Sequence, residues 1–153
     1  MGNFGLKRHQ AFDTLRRDIV TTGIDDDVFL AVGNVDVAVL IDPADIAGAV
    51  DLLLKAEKPL IYAGEGVIYA GASAELKEFA ELVNAPVITT LKAKGAFPED
   101  HPLFVGVRGD QVNHYLNECD LLFSVGSSLS PGRFSHGIPN AVNKTIIHAT
   151  VDE

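Results

Sequence analysis

Three short, unbroken apolar runs constrain this chain more than any other feature: PLIYAG at residues 59–64, PVITT at 86–90 and DLLFSVG at 120–126. None alternates apolar with polar, so each reads as a strand buried on both faces rather than one with a wet side. The segments between them have helical spacing instead. GASAELKEFAELVNA (71–85) places Leu76, Phe79, Leu82 and Val83 on one face, with Ser73 as the expected cap, and DQVNHYLNEC (110–119) reads as a shorter helix. Upstream, DPADIAGAVDLLLKAEK opens with Asp42 at an N-cap position and Pro43 at the first helical position, where the missing N–H costs nothing. Ile46, Val50, Leu53 and Leu54 then recur at helical spacing. KTIIHATVDE (144–153) reads as a final strand.

Buried strands alternating with helices predict an α/β fold with a doubly wound parallel sheet, three layers deep (α/β/α), like a nucleotide-binding fold. The 153 residues suffice for one such domain, and a composition of 47% hydrophobic and 22% charged residues is that of a globular chain. A formal net charge of −9 disfavours nucleic acid and anionic membrane surfaces as partners. Cys119 is the only cysteine, so no internal disulfide can form; this favours a reducing compartment, and a cytoplasmic location is expected. No apolar run approaches the roughly 18 residues of a membrane helix, and no signal peptide is expected. Residues 1–41 fit the alternation less well. They read as an N-terminal extension: a helix over 6–20, an acidic turn at 23–27 and an apolar β-branched segment at 28–41, which is expected to fill an edge of the sheet.

Glycine follows or closes three strand regions, in AGEGV (63–67), TTLKAKG (89–95) and VGSSLSPG (125–132). In open parallel sheets ligands bind beyond the carboxyl ends of the strands, where glycine lets backbone come close. Glycine also serves tight strand-to-helix turns with no ligand at all, and GEGVIYAGAS does not have the G-x-G-x-x-G spacing. Both readings stay open on spacing. KGAFPEDHPLFVG (94–106) holds an Asp100–His101 pair that invites acid–base chemistry. Two prolines bracket it and no nucleophile is placed beside it. It is therefore read as a rigid structural loop, with His101 bonding backbone and Leu103 and Phe104 pinning it to the core. Cys119 has no basic neighbour in sequence and reads as a buried, inert thiol. His148 reads as a satisfied core histidine, and the IDDD run at 24–27 as a solvated turn rather than a metal site. Arg108, in GVRGD, is open to two readings: a solvated side chain, or a contact to an anion or an adenine.

Taken in order, DPADIAGAVDLLLKAEKPLIYAGEGV, ELKEFAELVNAPVITTLKAKGAFPEDHPLFVG, NECDLLFSVGSSL and KTIIHATVDE resemble the central domain of thiamine-diphosphate-dependent enzymes, the family of acetolactate synthase, pyruvate oxidase and related decarboxylases. The resemblance covers residues 42–153. It implies a six-stranded Rossmann-like sheet of the FAD/NAD-binding-domain kind. It also implies a parent lyase or transferase acting on 2-oxo acids, with thiamine diphosphate and magnesium held by other domains, and a homo-oligomer. This domain holds FAD in some members and ADP in others, and is a spacer in the rest. Carried over, the nucleotide-facing positions are Gly64, Glu65 and Gly66; Thr90, Leu91 and Lys92; Gly106, Val107, Arg108 and Gly109; Gly126, Ser127 and Ser128; and Thr150 and Asp152. Thr150 stands where the family often has a carboxylate, and Ser130, Pro131, Gly132 and Arg133 replace the family's usual residues after that strand. The GDG diphosphate motif and the catalytic-glutamate domain are absent from these residues, so the resemblance implies no catalytic residue and no metal ligand here. Two alternatives are a free-standing module for FAD, ADP or NAD and, more distantly, a sirtuin-like deacylase suggested by CDLLFSVGSSLSP.

Overall fold

A computed structural model describes residues 43–129 and 137–149. The chain divides into two units, residues 1–55 and 56–153. In the first, helix α1 spans Pro43–Lys55, where the proline-led apolar pattern places it, and stops three residues short of the expected end. The second unit contains β1 (Pro59–Ala63), a short α2 (Gly66–Tyr69), α3 (Ser73–Val83), β2 (Val87–Thr89), β3 (Phe104–Gly106), α4 (Asp110–Glu118), β4 (Leu121–Val125) and β5 (Thr145–Ala149).

The described strands form a five-stranded sheet in the order β3-β2-β1-β4-β5, every neighbouring pair parallel. The chain moves outward from β1 through β2 to β3, then returns to the other side of β1 for β4. The order therefore reverses between β1 and β4, which makes that the switch point of a doubly wound sheet. The two faces are covered by different helices. Leu60, Tyr62, Ile88 and Leu122 point one way and form a core with Val112 and Leu116 of α4 and with Cys119. On the other face Phe123 meets Phe79 of α3, ring centroids 5.4 Å apart. All five residues of β1 are buried, as its unbroken apolar run requires of the sheet's central strand.

Several local expectations are corrected. Ser73 does not cap α3; the cap position is Ala72, without a side-chain bond. The short helix α2 runs into α3 through a compact turn, in which Ala72 N–H bonds Val67 O, so no extended residue precedes α3 to present a capping hydroxyl. Asn84 closes α3 in the left-handed region (φ 50°), with the Ala85 N–H on Ala80 O. The stretch 94–106 is not wholly loop, since β3 occupies its end; three residues are too few to show a period. Its main anchor is Phe97, fully buried, with its ring 5.1 Å from His101 and 6.4 Å from Phe104. Leu103 and Phe104, expected as the pins, are half-buried. Burial of a phenylalanine of this kind contributes about 2 kcal/mol.

His101 bonds backbone as expected, its Nδ1 accepting from the Leu103 N–H at 3.2 Å, and its Nε2 also reaches Glu81 Oε1 of α3 at 2.9 Å. His148 is not a core residue. β5 is largely exposed, being the outermost described strand on its side, and the ring is satisfied by the Ser127 carbonyl. The 24–27 turn and the proposed edge segment 28–41 lie outside the described residues.

Candidate functional site at the carboxyl edge of the sheet

Because the described strands all run in parallel, the turns after β1, β2, β3 and β4 emerge at one edge. The turn after β1 holds Gly64, Glu65 and Gly66, and the turn after β4 holds Gly126, Ser127 and Ser128. These two turns are in direct backbone contact. Gly64 N–H donates to Val125 O at 2.8 Å, and Gly66 N–H donates to Gly126 O at 2.9 Å. A methyl group on Gly64 would lie 2.1 Å from Gly126 O, and one on Gly66 would lie 2.8 Å from Gly126 Cα. Gly126 itself has φ +63°, and a methyl group there would lie 2.7 Å from Val67 N. The glycines at the switch point are thus required by one turn pressing on another.

The turn after β2 joins the same cluster. Thr90 N–H bonds Ala63 O at 2.9 Å, and its hydroxyl accepts from Ala93 N–H at 3.2 Å, opening a short 3-10 turn over Leu91–Ala93. Lys92 Nζ reaches Glu65 Oε1 at 3.3 Å, and Tyr69 OH lies 3.4 Å from Glu65 Oε2. Glu65 therefore points at a lysine rather than standing as a lone negative charge. Leu91, Ile68 and Tyr69 are exposed, so this end of the edge is partly apolar.

Gly106, Val107, Arg108 and Gly109 follow β3, two strand spacings from β1, or roughly 10 Å away. Arg108 is exposed, and no hydrogen bond or ion pair holds it among the described residues. Gly106 (φ 135°) and Gly109 (φ 113°) carry the chain through conformations that suit glycine, and Gly109 opens α4. Ser127 Oγ accepts from Leu129 N–H at 3.3 Å. Thr150 and Asp152 lie outside the described residues. The structure thus brings together the candidates after β1, β2 and β4 and leaves Arg108 apart from them.

Two residues of the cluster were missed by sequence reasoning. Tyr69 stands four positions after Glu65, a helical spacing that was readable. His148, which meets Ser127 from β5, leaves no signal, because only the sheet brings the two segments together. At the opposite edge, Asp120 accepts from Glu57 N–H at 2.7 Å and Lys58 N–H at 2.9 Å, fastening the entries of β1 and β4. Cys119 is buried, and burial pushes its thiol pKa up, as an inert cysteine requires. A basic group does approach: Lys144 Nζ donates to the Cys119 carbonyl at 2.8 Å, but burial outweighs its charge. Among the described residues, no three of His, Cys, Asp and Glu stand together as a metal site.

A parallel α/β sheet with its reversal at β1 and β4 defines the class, and comparison with known proteins gives the family. Residues 46–153 match the family of the thiamine pyrophosphate enzyme, central domain, and the chain belongs to that family. It is 43% identical over 117 residues to a probable acetolactate synthase large subunit of Methanocaldococcus jannaschii, a match covering 72% of this chain and 19% of that protein. It is 38% identical over 117 residues to the glyoxylate carboligase of Escherichia coli O157:H7, covering 70% of this chain and 19% of that protein. A crystal structure of an enzyme from Mycobacterium smegmatis, described as thiamin diphosphate-dependent, superposes with a TM-score of 0.55 at 29% identity, covering 69% of this chain and 21% of that one. The chain spans about a fifth of the length of these curated relatives.

Proposed function

We propose that this chain acts as the central domain of a thiamine-diphosphate-dependent lyase or transferase working on 2-oxo acids, and that it is non-catalytic by itself. The observation that carries this reading is the family match over 46–153, set against relatives of which the match covers only 19% and which are described as a probable acetolactate synthase subunit and a carboligase. In such an enzyme thiamine diphosphate and magnesium are held by the other domains, which are this chain's partners, and like subunits assemble. Here the domain supplies a rigid sheet between them. The fastened edges of that sheet, Asp120 on one side and the glycine contact on the other, suit the role.

A second reading, a nucleotide module for FAD, ADP or NAD, is favoured by Arg108. It is an exposed guanidinium at the ligand edge of the sheet, with no hydrogen bond or ion pair among the described residues. On that reading Thr90, Leu91, Lys92, Arg108, Ser127 and Ser128 line the crevice. A thermal-shift series separates the two readings. A nucleotide that binds the folded chain at a hundredfold excess over its Kd stabilises it by about 2.7 kcal/mol, a rise of several degrees in Tm. The first reading expects no response to thiamine diphosphate with magnesium, and a response there counts against it. The second falls if FAD, ADP and NAD all leave Tm unchanged.

A further inference from the structure

On the nucleotide reading a dinucleotide or ADP would enter at the switch point, and in sheets of this kind the diphosphate is commonly held by backbone N–H groups of the first strand-to-helix turn. That turn can be tested against its own hydrogen bonds. Gly64 N–H is committed to Val125 O and Gly66 N–H to Gly126 O, while Val67 N–H bonds Gly64 O at 3.2 Å and Ile68 N–H bonds Glu65 O at 3.0 Å. The protein's own carbonyl, Gly126 O, sits where an anion would meet the first amide of α2. The helix itself is only four residues long. Space is as limiting as hydrogen bonding. Gly64 and Gly66 lie so close to the Gly126 turn that neither has room for a methyl group, still less for a phosphate between the turns.

We infer that the Gly64–Gly66 turn is a backbone lock joining β1 to β4 and takes no phosphate. A nucleotide entering this edge is held instead by side chains of Lys92, Arg108, Ser127 and Ser128. The inference deepens the nucleotide reading and rests on it for the ligand, but the lock itself does not depend on any ligand. The glycines that resemble a phosphate cradle in the sequence serve the contact between two turns. Their three committed amides continue the sheet: Gly64 extends the β1–β4 ladder, Gly126 N–H extends the β4–β5 ladder onto Ala149 O at 2.8 Å, and Gly66 crosses between the two turns.

Amide-resolved NMR of the chain tests this with two readouts. In the free protein, hydrogen exchange at Gly64 and Gly66 is expected to be slowed to the level of β1 amides such as Ile61 and Tyr62. Free exchange at Gly66 would overturn the lock. Titration with ADP, and separately with FAD, is expected to leave the Gly64 and Gly66 amide resonances in place while any shifts gather at Lys92, Arg108 and Ser127–Ser128. Gly64 and Gly66 among the most shifted amides would overturn it as well. Protected glycine amides with no response to either nucleotide leave the lock standing and remove the nucleotide reading alone.

Discussion

Thr89 is fully buried at the end of β2, and its hydroxyl has no hydrogen-bond partner among the described residues; the same holds for the hydroxyl of Ser124 in β4. An unmet buried hydroxyl costs about 1–3 kcal/mol, and an apolar residue of the same shape removes that cost. Thr89→Val is therefore expected to raise stability by about 1 kcal/mol, read as a higher urea midpoint at unchanged slope. A loss of that size would mean the hydroxyl is bonded in solution. The buried aliphatic residues of β1 and β4 were legible in the sequence because a strand buried on both faces strongly favours apolar residues. The roles of Gly64, Gly66 and Gly126 were not, because glycine for a ligand and glycine for a neighbouring turn leave the same letter. His148 was misjudged for a related reason: an apolar run names a strand but not whether that strand is central or outermost.

The elements are fastened to one another by a few polar contacts at their ends, and two of these give the chain a defined acid response. The hydrogen bond from His101 holds the Glu81 carboxyl below its ordinary value of 4.5, with Lys77 adding to it, and Lys58 does the same for Glu118. Glu118 in turn raises Lys58 above its ordinary 10.5. A carboxylate lowered by folding stabilises the fold fully above its unfolded value, and that share is lost as pH falls through the folded value. The lysine's share is fully present below 10.5 and is lost as pH rises through its raised value. Urea midpoints taken from pH 6 down to 3 are therefore expected to fall below about pH 4.5, and Lys58→Met should make that fall shallower. An unchanged acid slope in Lys58→Met would contradict the assignment to Glu118. Both pairs are exposed and screened by salt, so the effect should shrink at high ionic strength. Among the elements, the long periodic helices and the unbroken strands were readable. α2 and β3 were not, being four and three residues long, too short for any period to emerge.

For the whole molecule, the order of short buried strands and helices determines the doubly wound sheet, and the family membership follows from residues 46–153. Function was legible only to the level of that family, because residues 46–153 carry its fold and, on the proposed reading, the groups for thiamine-diphosphate chemistry lie in other domains. What this chain contributes is the sheet, its locked switch point and an edge bearing Lys92, Arg108 and the Ser127–Ser128 turn. The central claim is that the chain is a non-catalytic central domain, and the most direct test is release of carbon dioxide from pyruvate by the purified chain supplied with thiamine diphosphate and magnesium. The account predicts release no faster than in a protein-free control, and turnover above that control that scales with protein concentration would contradict it.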